Sequence, residues 1–178
     1  MKLFATATLK TATVAAALAL CAGTALAQSA PGATAALKDT QGKAVGTLTL
    51  TQQPGGIVIR GELEGLPPGW HAIHIHAAGK CEPDFTAAGG HFNPAGVKHG
   101  LAGKEPHAGD LPNFFVDERG HGRFEAFTHG VTMTDGAANG LFGANGTSFI
   151  VHAKGDDYVT DPAGASGDRI ACGVIKKG

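Results

Sequence analysis

Net charge, long apolar runs and helical periodicity are all scarce in this sequence of 178 residues. A formal charge of −1 gives no reason to expect a nucleic-acid or membrane-surface partner, because both partners attract strongly basic proteins. Beyond the N-terminus no segment keeps the 3.6-residue apolar period of a helix, which argues against a helical bundle. The sequence has no internal repeat either. Its length is enough for one domain with its own core and too short for two, so a single domain is expected.

The first 27 residues have the pattern of a secretory signal peptide rather than of a folded element. Two lysines precede an apolar run from Val14 to Leu20, and the segment ends in the small-x-small sequence ALA at residues 25–27. The apolar run is too short to span a bilayer. We therefore predict a signal peptide over residues 1–27 and a mature domain over residues 28–178, with no membrane attachment after cleavage.

Cysteine is also rare, with three residues, one of which lies in the leader. Cys21 would be the lipidated residue of a lipoprotein signal, but such signals need a small residue before the cysteine and Leu20 stands there. Cleavage leaves Cys81 and Cys172, an even number that predicts one disulfide in an exported chain, with two free buried thiols as the alternative. The leader holds two of the 14 basic residues and none of the 15 acidic ones, so the mature chain has a formal charge of −3.

What the sequence has in abundance is glycine, with 28 residues, together with 9 prolines and 43% hydrophobic residues. This mixture is typical of a loop-rich, all-β domain. Short runs with alternating apolar residues recur between Gly, Pro and Asn turns, and this period of two predicts an antiparallel sandwich or barrel. The eight predicted strands lie near residues 33–39, 43–52, 55–66, 70–76, 114–118, 122–128, 147–153 and 169–175.

Six of the nine histidines lie on the predicted strand at 70–76 or in the segment 77–113, which resists strand assignment. A second segment without strand character, 153–168, is charged and contains no histidine. Loops this long inside a compact domain are usually functional or disordered, and the ligand-type residues that these two hold favour function. On the strand, alternate residues face the same side, so His74 and His76 point together and form half of a transition-metal site. His71 faces the other way, and we expect it to be a buried structural residue that donates to a backbone carbonyl.

The first long segment has the donors of a closed tetrahedral zinc site, three histidines and one carboxylate within 20 residues. These donors are His91, His99, His107 and Asp110. A bound metal would also order a segment that has no regular structure of its own. His152, at the end of an apolar strand, is one more candidate ligand for the first site. His121 and His129 fall outside the pattern and are predicted to be solvent-exposed turn residues.

Taken together, these stretches resemble the copper/zinc superoxide dismutase family. The matching sequences are GLPPGWHAIHIHAAGKC, GGHFNP, KHG, PHAGDLPN, VHAKGDD and RIACGVI, which occur in the family's order and cover nearly all of residues 33–175. The short interval from His76 to Cys81, together with the leader, resembles the bacterial, periplasmic branch. The resemblance implies a Greek-key barrel of eight antiparallel strands, related to the immunoglobulin-like sandwich, with two long functional loops. It also implies a periplasmic protein that is a monomer or a homodimer.

For the site, the resemblance implies one copper and one zinc ion per chain. Copper would be held by His74, His76, His91 and His152. Zinc would be held by His91, His99, His107 and Asp110, with His91 bridging the two ions. Cys81 and Cys172 correspond to the family's disulfide. His91 and Arg169 correspond to the catalytic residues, Arg169 being the arginine that receives the anion, and Asp156 corresponds to the carboxylate that links His74 to His99.

The function implied is dismutation of superoxide to oxygen and hydrogen peroxide by one-electron cycling of the copper, with zinc ordering the site. A non-catalytic periplasmic protein that binds copper and zinc on the same fold is the alternative. All the expected ligands and Arg169 are present, which favours the enzyme. Lys154 is a candidate for attracting the anion, with a solvated surface lysine as the alternative.

Three places depart from the family pattern. Ala72-Ile73 replace a common Gly-Phe, for which we expect altered core packing and unchanged chemistry. Leu101-Ala102 replace a frequent Gly-Pro, which leaves the path of the zinc-loop segment open. Asp168 stands directly before Arg169, where a paired carboxylate would weaken the attraction of an anion. We predict that Asp168 points to solvent.

Overall fold

The computed structural model of the protein describes residues 32–102 and 105–178. The predicted signal peptide and its cleavage site lie outside these residues. The described strands are β1 (Ala33–Asp39), β2 (Ala44–Gln53), β3 (Gly56–Glu64), β4 (Gly69–His71), β5 (Ile73–His76), β6 (Phe114–Val116), β7 (His121–Thr128), β8 (Ser148–His152), β9 (Arg169–Val174) and β10 (Lys176–Lys177). A short 3₁₀ helix spans Phe85–Ala88. Within the described ranges, no helix has the length and apolar character that crossing a membrane requires.

The strands form one antiparallel sheet in the order β4-β6-β7-β3-β2-β1-β9-β8-β5, with β10 beside β1. The two ends of this path, β4 and β5, are consecutive in the chain, so the sheet curls into a nearly closed barrel. β3 pairs with β2 and β7, whereas β4, the next strand in the chain, lies beyond β7 and β6. The connection from β3 to β4 therefore crosses the end of the barrel, as in a Greek key. The predicted all-β Greek-key barrel is confirmed.

The strand count differs from the prediction of eight because the strand predicted at 70–76 is interrupted. At Ala72 the backbone leaves the regular strand pairing and bonds to the last residue of β8 and to the loop after it. Its N–H donates to Lys154 O at 2.8 Å, and its C=O accepts the His152 N–H at 2.9 Å. This divides the strand into β4 and β5, and the two-residue β10 adds the tenth element.

Alternation along the strands places one face in the core, because successive side chains of a strand point to opposite sides. β7 shows this clearly, with buried and exposed residues alternating along its whole length. β5 is different, since all four of its residues are buried. Ile73 and Ile75 belong to the main hydrophobic core, while His74 and His76 face the other side and are covered by the two long loops. Those loops therefore create a second, polar interior outside the barrel.

A disulfide joins Cys81, in the loop after β5, to Cys172 on β9, with their Cα atoms 5.8 Å apart. The predicted pairing is confirmed. The two cysteines are 91 residues apart in sequence, and closing a loop of that length stabilises the fold by about 4–5 kcal/mol in the chain-entropy model. The bond fixes the first long loop against the barrel beside Arg169. A disulfide also agrees with folding in an oxidising compartment.

Candidate metal centre

The first cluster consists of four buried histidines, two from β5, one from the first long loop and one from the end of β8. His91 is brought against β5 by an isolated β-bridge to His76. The four side chains place one ligand atom each within 4.8 Å of one another. Each also has one buried ring nitrogen without a hydrogen-bond partner among the described residues. These atoms are His74 Nδ1, His76 Nε2, His91 Nε2 and His152 Nε2.

Buried polar atoms without partners are costly, so four of them in one place need an explanation. A metal ion supplies one, because it takes the lone pair of each nitrogen and imidazole nitrogen suits copper. The structure thus brings together the four residues of the predicted copper site. The donor set fits a copper ion.

Hydrogen bonds on the opposite ring nitrogens explain why these four atoms are left free. His76 Nδ1 lies 2.9 Å from Gly89 O, and His152 Nδ1 lies 3.3 Å from Gly167 O. Each nitrogen must carry the proton in order to donate to a carbonyl, so the other nitrogen is an unprotonated acceptor. The register shift between Val151 and His152 on β8 aims the His152 ring at the cluster, as β-bulges commonly do beside functional sites.

The second cluster consists of His91, His99, His107 and Asp110, all buried and all from the first long loop. Asp110 Oδ1 lies 2.8 Å from His91 Nδ1, 3.0 Å from His99 Nδ1 and 3.3 Å from His107 Nδ1. The Nδ1 atoms of His91 and His107 are 3.4 Å apart. Donors at about 2.0–2.1 Å from a central zinc ion form a tetrahedron with edges of about 3.3 Å, so these separations fit zinc.

The other oxygen of Asp110 is held by backbone donors. Oδ2 accepts the N–H groups of Gly100 and His107, each at 3.0 Å. Only Oδ1 therefore faces the second cluster, and the carboxylate offers it a single oxygen. The same bonds hold the backbone at Gly100 and His107 against Asp110.

His91 is the one histidine of the described residues that belongs to both clusters. Its Nε2 is among the unpartnered atoms of the first cluster, and its Nδ1 is among the converging atoms of the second. One imidazole thus presents a nitrogen to each site. This is the geometry that the predicted bridging role requires.

The protonation states of His76, His152 and Asp110 suit metal binding, which needs neutral imidazoles and ionised carboxylates. Burial lowers the pKa of His76 to about 2 and that of His152 to about 3, so both rings are neutral at pH 7. Burial alone would raise the pKa of Asp110. Hydrogen bonds from His91 and from the Gly100 N–H, with the nearby histidines, outweigh it and lower that pKa to about 2.

Asp156, in the second long loop, connects the two clusters. Its Oδ2 lies 2.8 Å from His74 Nε2 and its Oδ1 lies 3.0 Å from His99 Nε2, with all three side chains fully buried. Burial by itself would raise the pKa of Asp156, but the hydrogen bonds with these two rings outweigh it and hold the pKa below its usual value. The ionised carboxylate accepts from both Nε2–H groups, which leaves the Nδ1 atom of each ring free to face its cluster.

Arg169, the first residue of β9, pairs with His152 across the sheet. Its Nη1 donates to Phe85 O at 2.6 Å and its Nη2 donates to Gly89 O at 2.7 Å. Gly89 O also receives His76 Nδ1, so the guanidinium and a histidine of the first cluster share one acceptor. The cation is half-buried and fixed beside the first cluster.

The remaining predicted residues are placed as follows. His71 is buried, and its ring nitrogens lie 2.7 Å from His152 O and 2.7 Å from Pro67 O, in agreement with a bracing role. His121 and His129 are exposed, although His121 begins β7 and does not lie in a turn. Lys154 and Asp168 are exposed too.

Within the described part of the chain, Asp168 forms no ion pair with Arg169. Sequence reasoning assigned no role to Asn113, Tyr158 and Gly164, which all touch Asp156. Asn113 lies in the quoted sequence PHAGDLPN, but no spacing rule connects it with a loop more than 40 residues away.

Comparison with known proteins agrees with this geometry. The family described as copper/zinc superoxide dismutase matches residues 44–175. Cu-Zn superoxide dismutase 2 of Aquifex aeolicus is 46% identical over 145 residues, which are 80% of this chain and 85% of that protein.

Two solved structures are similar in fold. A SOD-like protein from Bacillus subtilis has a TM-score of 0.76 and 36% identity, over 82% of this chain and 99% of that one. The Cu/Zn superoxide dismutase from Brucella abortus has a TM-score of 0.67 and 30% identity, over 80% of this chain and 98% of that one. This chain belongs to the copper/zinc superoxide dismutase family.

Proposed function

We propose that this protein dismutates superoxide to oxygen and hydrogen peroxide, with one copper and one zinc ion per chain. His74, His76, His91 and His152 hold the copper ion. His91, His99, His107 and Asp110 hold the zinc ion. Copper bound to imidazoles supplies one-electron redox chemistry, and zinc, which has no redox role, orders the loop. Two superoxide ions and two protons give one molecule each of oxygen and hydrogen peroxide.

The observation that carries this proposal is the set of four buried, unpartnered histidine nitrogens, one of which belongs to a ring shared with the second cluster. A surface histidine cluster would be satisfied by water. A structural zinc site would need only the second cluster, which is complete without the first. Two fitting sites that share one imidazole are explained together by a pair of metals.

His91 is the residue placed to handle a proton. Its Nδ1 is directed at Asp110 and the second cluster, while its Nε2 points into the first cluster and has no other partner among the described residues. Nε2 has one lone pair, so it would take a proton only while it is not bound to copper. Such a proton could be delivered to the reduced substrate without moving the ring, because the second cluster fixes its orientation.

Arg169 is the residue placed to receive the anion. Two of its five N–H donors are engaged by Phe85 O and Gly89 O, which lock the guanidinium, and within the described residues the other three have no hydrogen-bond acceptor. The mature chain has a net negative charge, so a small anion needs a local positive potential to approach. Lys154, exposed in the loop after β8, is the candidate for adding to this potential.

Export to the periplasm is part of the proposal. The leader-like sequence over residues 1–27, the disulfide and the bacterial origin of the relatives support it. Mass spectrometry of the protein recovered from a periplasmic fraction should give a chain that begins at Gln28. A lipid-modified chain beginning at Cys21 would contradict cleavage after Ala27.

The deciding experiment measures superoxide decay by residues 28–178 loaded with copper and zinc, beside a zinc-only sample. We expect fast decay that requires copper. Stoichiometric binding of both metals without turnover would contradict the proposed enzymatic activity and favour a non-catalytic metal-binding protein.

A further inference from the structure

The carboxylate of Asp156 touches one histidine of each cluster, so its position affects both. It lies in the loop after β8, which has no regular secondary structure between β8 and β9. A carboxylate on such a loop is placed accurately only if other groups hold the backbone beside it. The groups that do so here are Asn113 and Tyr158.

Asn113 grips the backbone of Asp156 with both ends of its side-chain amide. Its Oδ1 accepts the Asp156 N–H at 2.8 Å, and its Nδ2 donates to the Asp156 C=O at 2.8 Å. The two bonds fix the orientation of the amide and hold the peptide groups on either side of Asp156. Asn113 stands directly before β6 and three residues after Asp110, so the grip joins the second long loop to the segment that carries the carboxylate of the second cluster.

Tyr158 closes the arrangement from the other side. Its hydroxyl accepts the Asn113 N–H at 2.8 Å, and its own N–H donates to Asp156 Oδ1 at 2.6 Å. Three residues are therefore joined in a ring of four hydrogen bonds. Tyr158 has a φ of 63°, a left-handed conformation that is strained for a residue with a bulky side chain. Such strain persists only where the surroundings determine the backbone, and it is typical of functional sites.

We propose that Asn113 and Tyr158 form a clamp that positions the Asp156 carboxylate between His74 and His99. This inference rests on the proposed metal site. Among the described residues, Asn113 and Tyr158 form no hydrogen bond with a side chain of either cluster, so they are positioning residues that act through Asp156. Loss of the clamp lets the carboxylate drift from the two Nε2–H groups, which frees both rings to rotate and weakens both sites.

The test compares the full mature chain with Asn113→Ala, which removes the grip, and Tyr158→Phe, which removes only the hydroxyl. Zinc affinity is measured by competition with a chromophoric chelator, and the copper(II) environment is followed by its visible and EPR spectra. Asn139→Ala is the matched control, because this half-buried amide also donates to a backbone carbonyl, that of Gly130, and touches neither cluster.

We expect the zinc dissociation constant of Asn113→Ala to rise up to about tenfold, the lower end of the effect of removing a direct partner of a metal ligand, because Asn113 acts on the ligands only through Asp156. Its copper spectra should shift, because His74 is no longer held. Tyr158→Phe should show a smaller change in the same direction even if Asn113→Ala fails to fold, and Asn139→Ala should match the unchanged protein.

Affinities within twofold of the unchanged protein, with identical copper spectra in both variants, would overturn the clamp while leaving the proposed function intact. An unchanged protein that binds neither metal would overturn both proposals. Dismutation is measured in parallel, so that evidence against the clamp can be distinguished from evidence against the proposed function.

Discussion

Gly164 lies so close to Asp156 that a Cβ atom on the glycine would overlap the carboxylate oxygen Oδ1. The same Cβ would come within 2.9 Å of His99 Nε2. Gly164 has a φ of 65°, which also favours glycine. The absence of a side chain here is thus what allows the Asp156 carboxylate to lie between two histidines.

Replacing Gly164 by alanine should displace the Asp156 carboxylate and weaken zinc binding by about tenfold or more, with a loss of about 1–3 kcal/mol of stability. Zinc competition and denaturant unfolding measure the two effects. Gly136→Ala is the matched control, since Gly136 has a φ of 78° and nothing within 4 Å of the added Cβ. It should cost about 1 kcal/mol and leave zinc affinity unchanged. Equal zinc affinities in the two variants would contradict the steric argument.

Single ligand substitutions should separate the two metals. His107→Ala removes a donor of the second cluster only, so zinc affinity should fall at least tenfold while copper still binds. His152→Ala should do the reverse, and His91→Ala should weaken both, because one ring serves both clusters. Metal content after dialysis measures each outcome, with the exposed His121→Ala as control. Full retention of zinc and copper by His91→Ala would rule out the bridging role.

Removing the Arg169 cation should slow dismutation without removing copper. Arg169→Ala is expected to lower the rate about tenfold or more and to weaken its dependence on salt, because a fixed charge beside the first cluster is lost. Asp168→Ala should leave the low-salt rate unchanged, since Asp168 is exposed and has no ion pair with Arg169 within the described residues. A several-fold faster rate for Asp168→Ala would show that its charge opposes the anion.

The stability of the metal-free protein should fall as the pH drops below 6.5. Burial lowers the folded-state pKa of His76 to about 2 and of His152 to about 3, whereas unfolded histidine has a pKa of about 6.5. Between these values the unfolded chain binds more protons, so the stability held above pH 6.5 is lost progressively as the pH falls toward 3. Denaturant unfolding at several pH values measures this loss, and His76→Gln should reduce its slope. Equal free energies of unfolding of the metal-free protein at pH 7.5 and 5.5 would contradict the conclusion that these buried rings are neutral.

The strands were predictable because alternation and turn residues are local signals. β1 begins and ends where the sequence predicts, and most other strand boundaries agree within two residues. The interruption at Ala72 could not be predicted, because it depends on hydrogen bonds to Lys154 and His152 about 80 residues away.

The sequence by itself determined which residue types could bind metals, since strand alternation sets which histidines share a face and the loop spacing supplies a zinc-type donor set. Only the tertiary structure decided which nitrogen of each ring is free. That choice depends on partners such as Gly89 O, Asp156 and Gly167 O, which come from distant loops. It also decided the grip of Asn113 on Asp156, because hydrogen bonds between segments 43 residues apart leave no periodic trace in the chain.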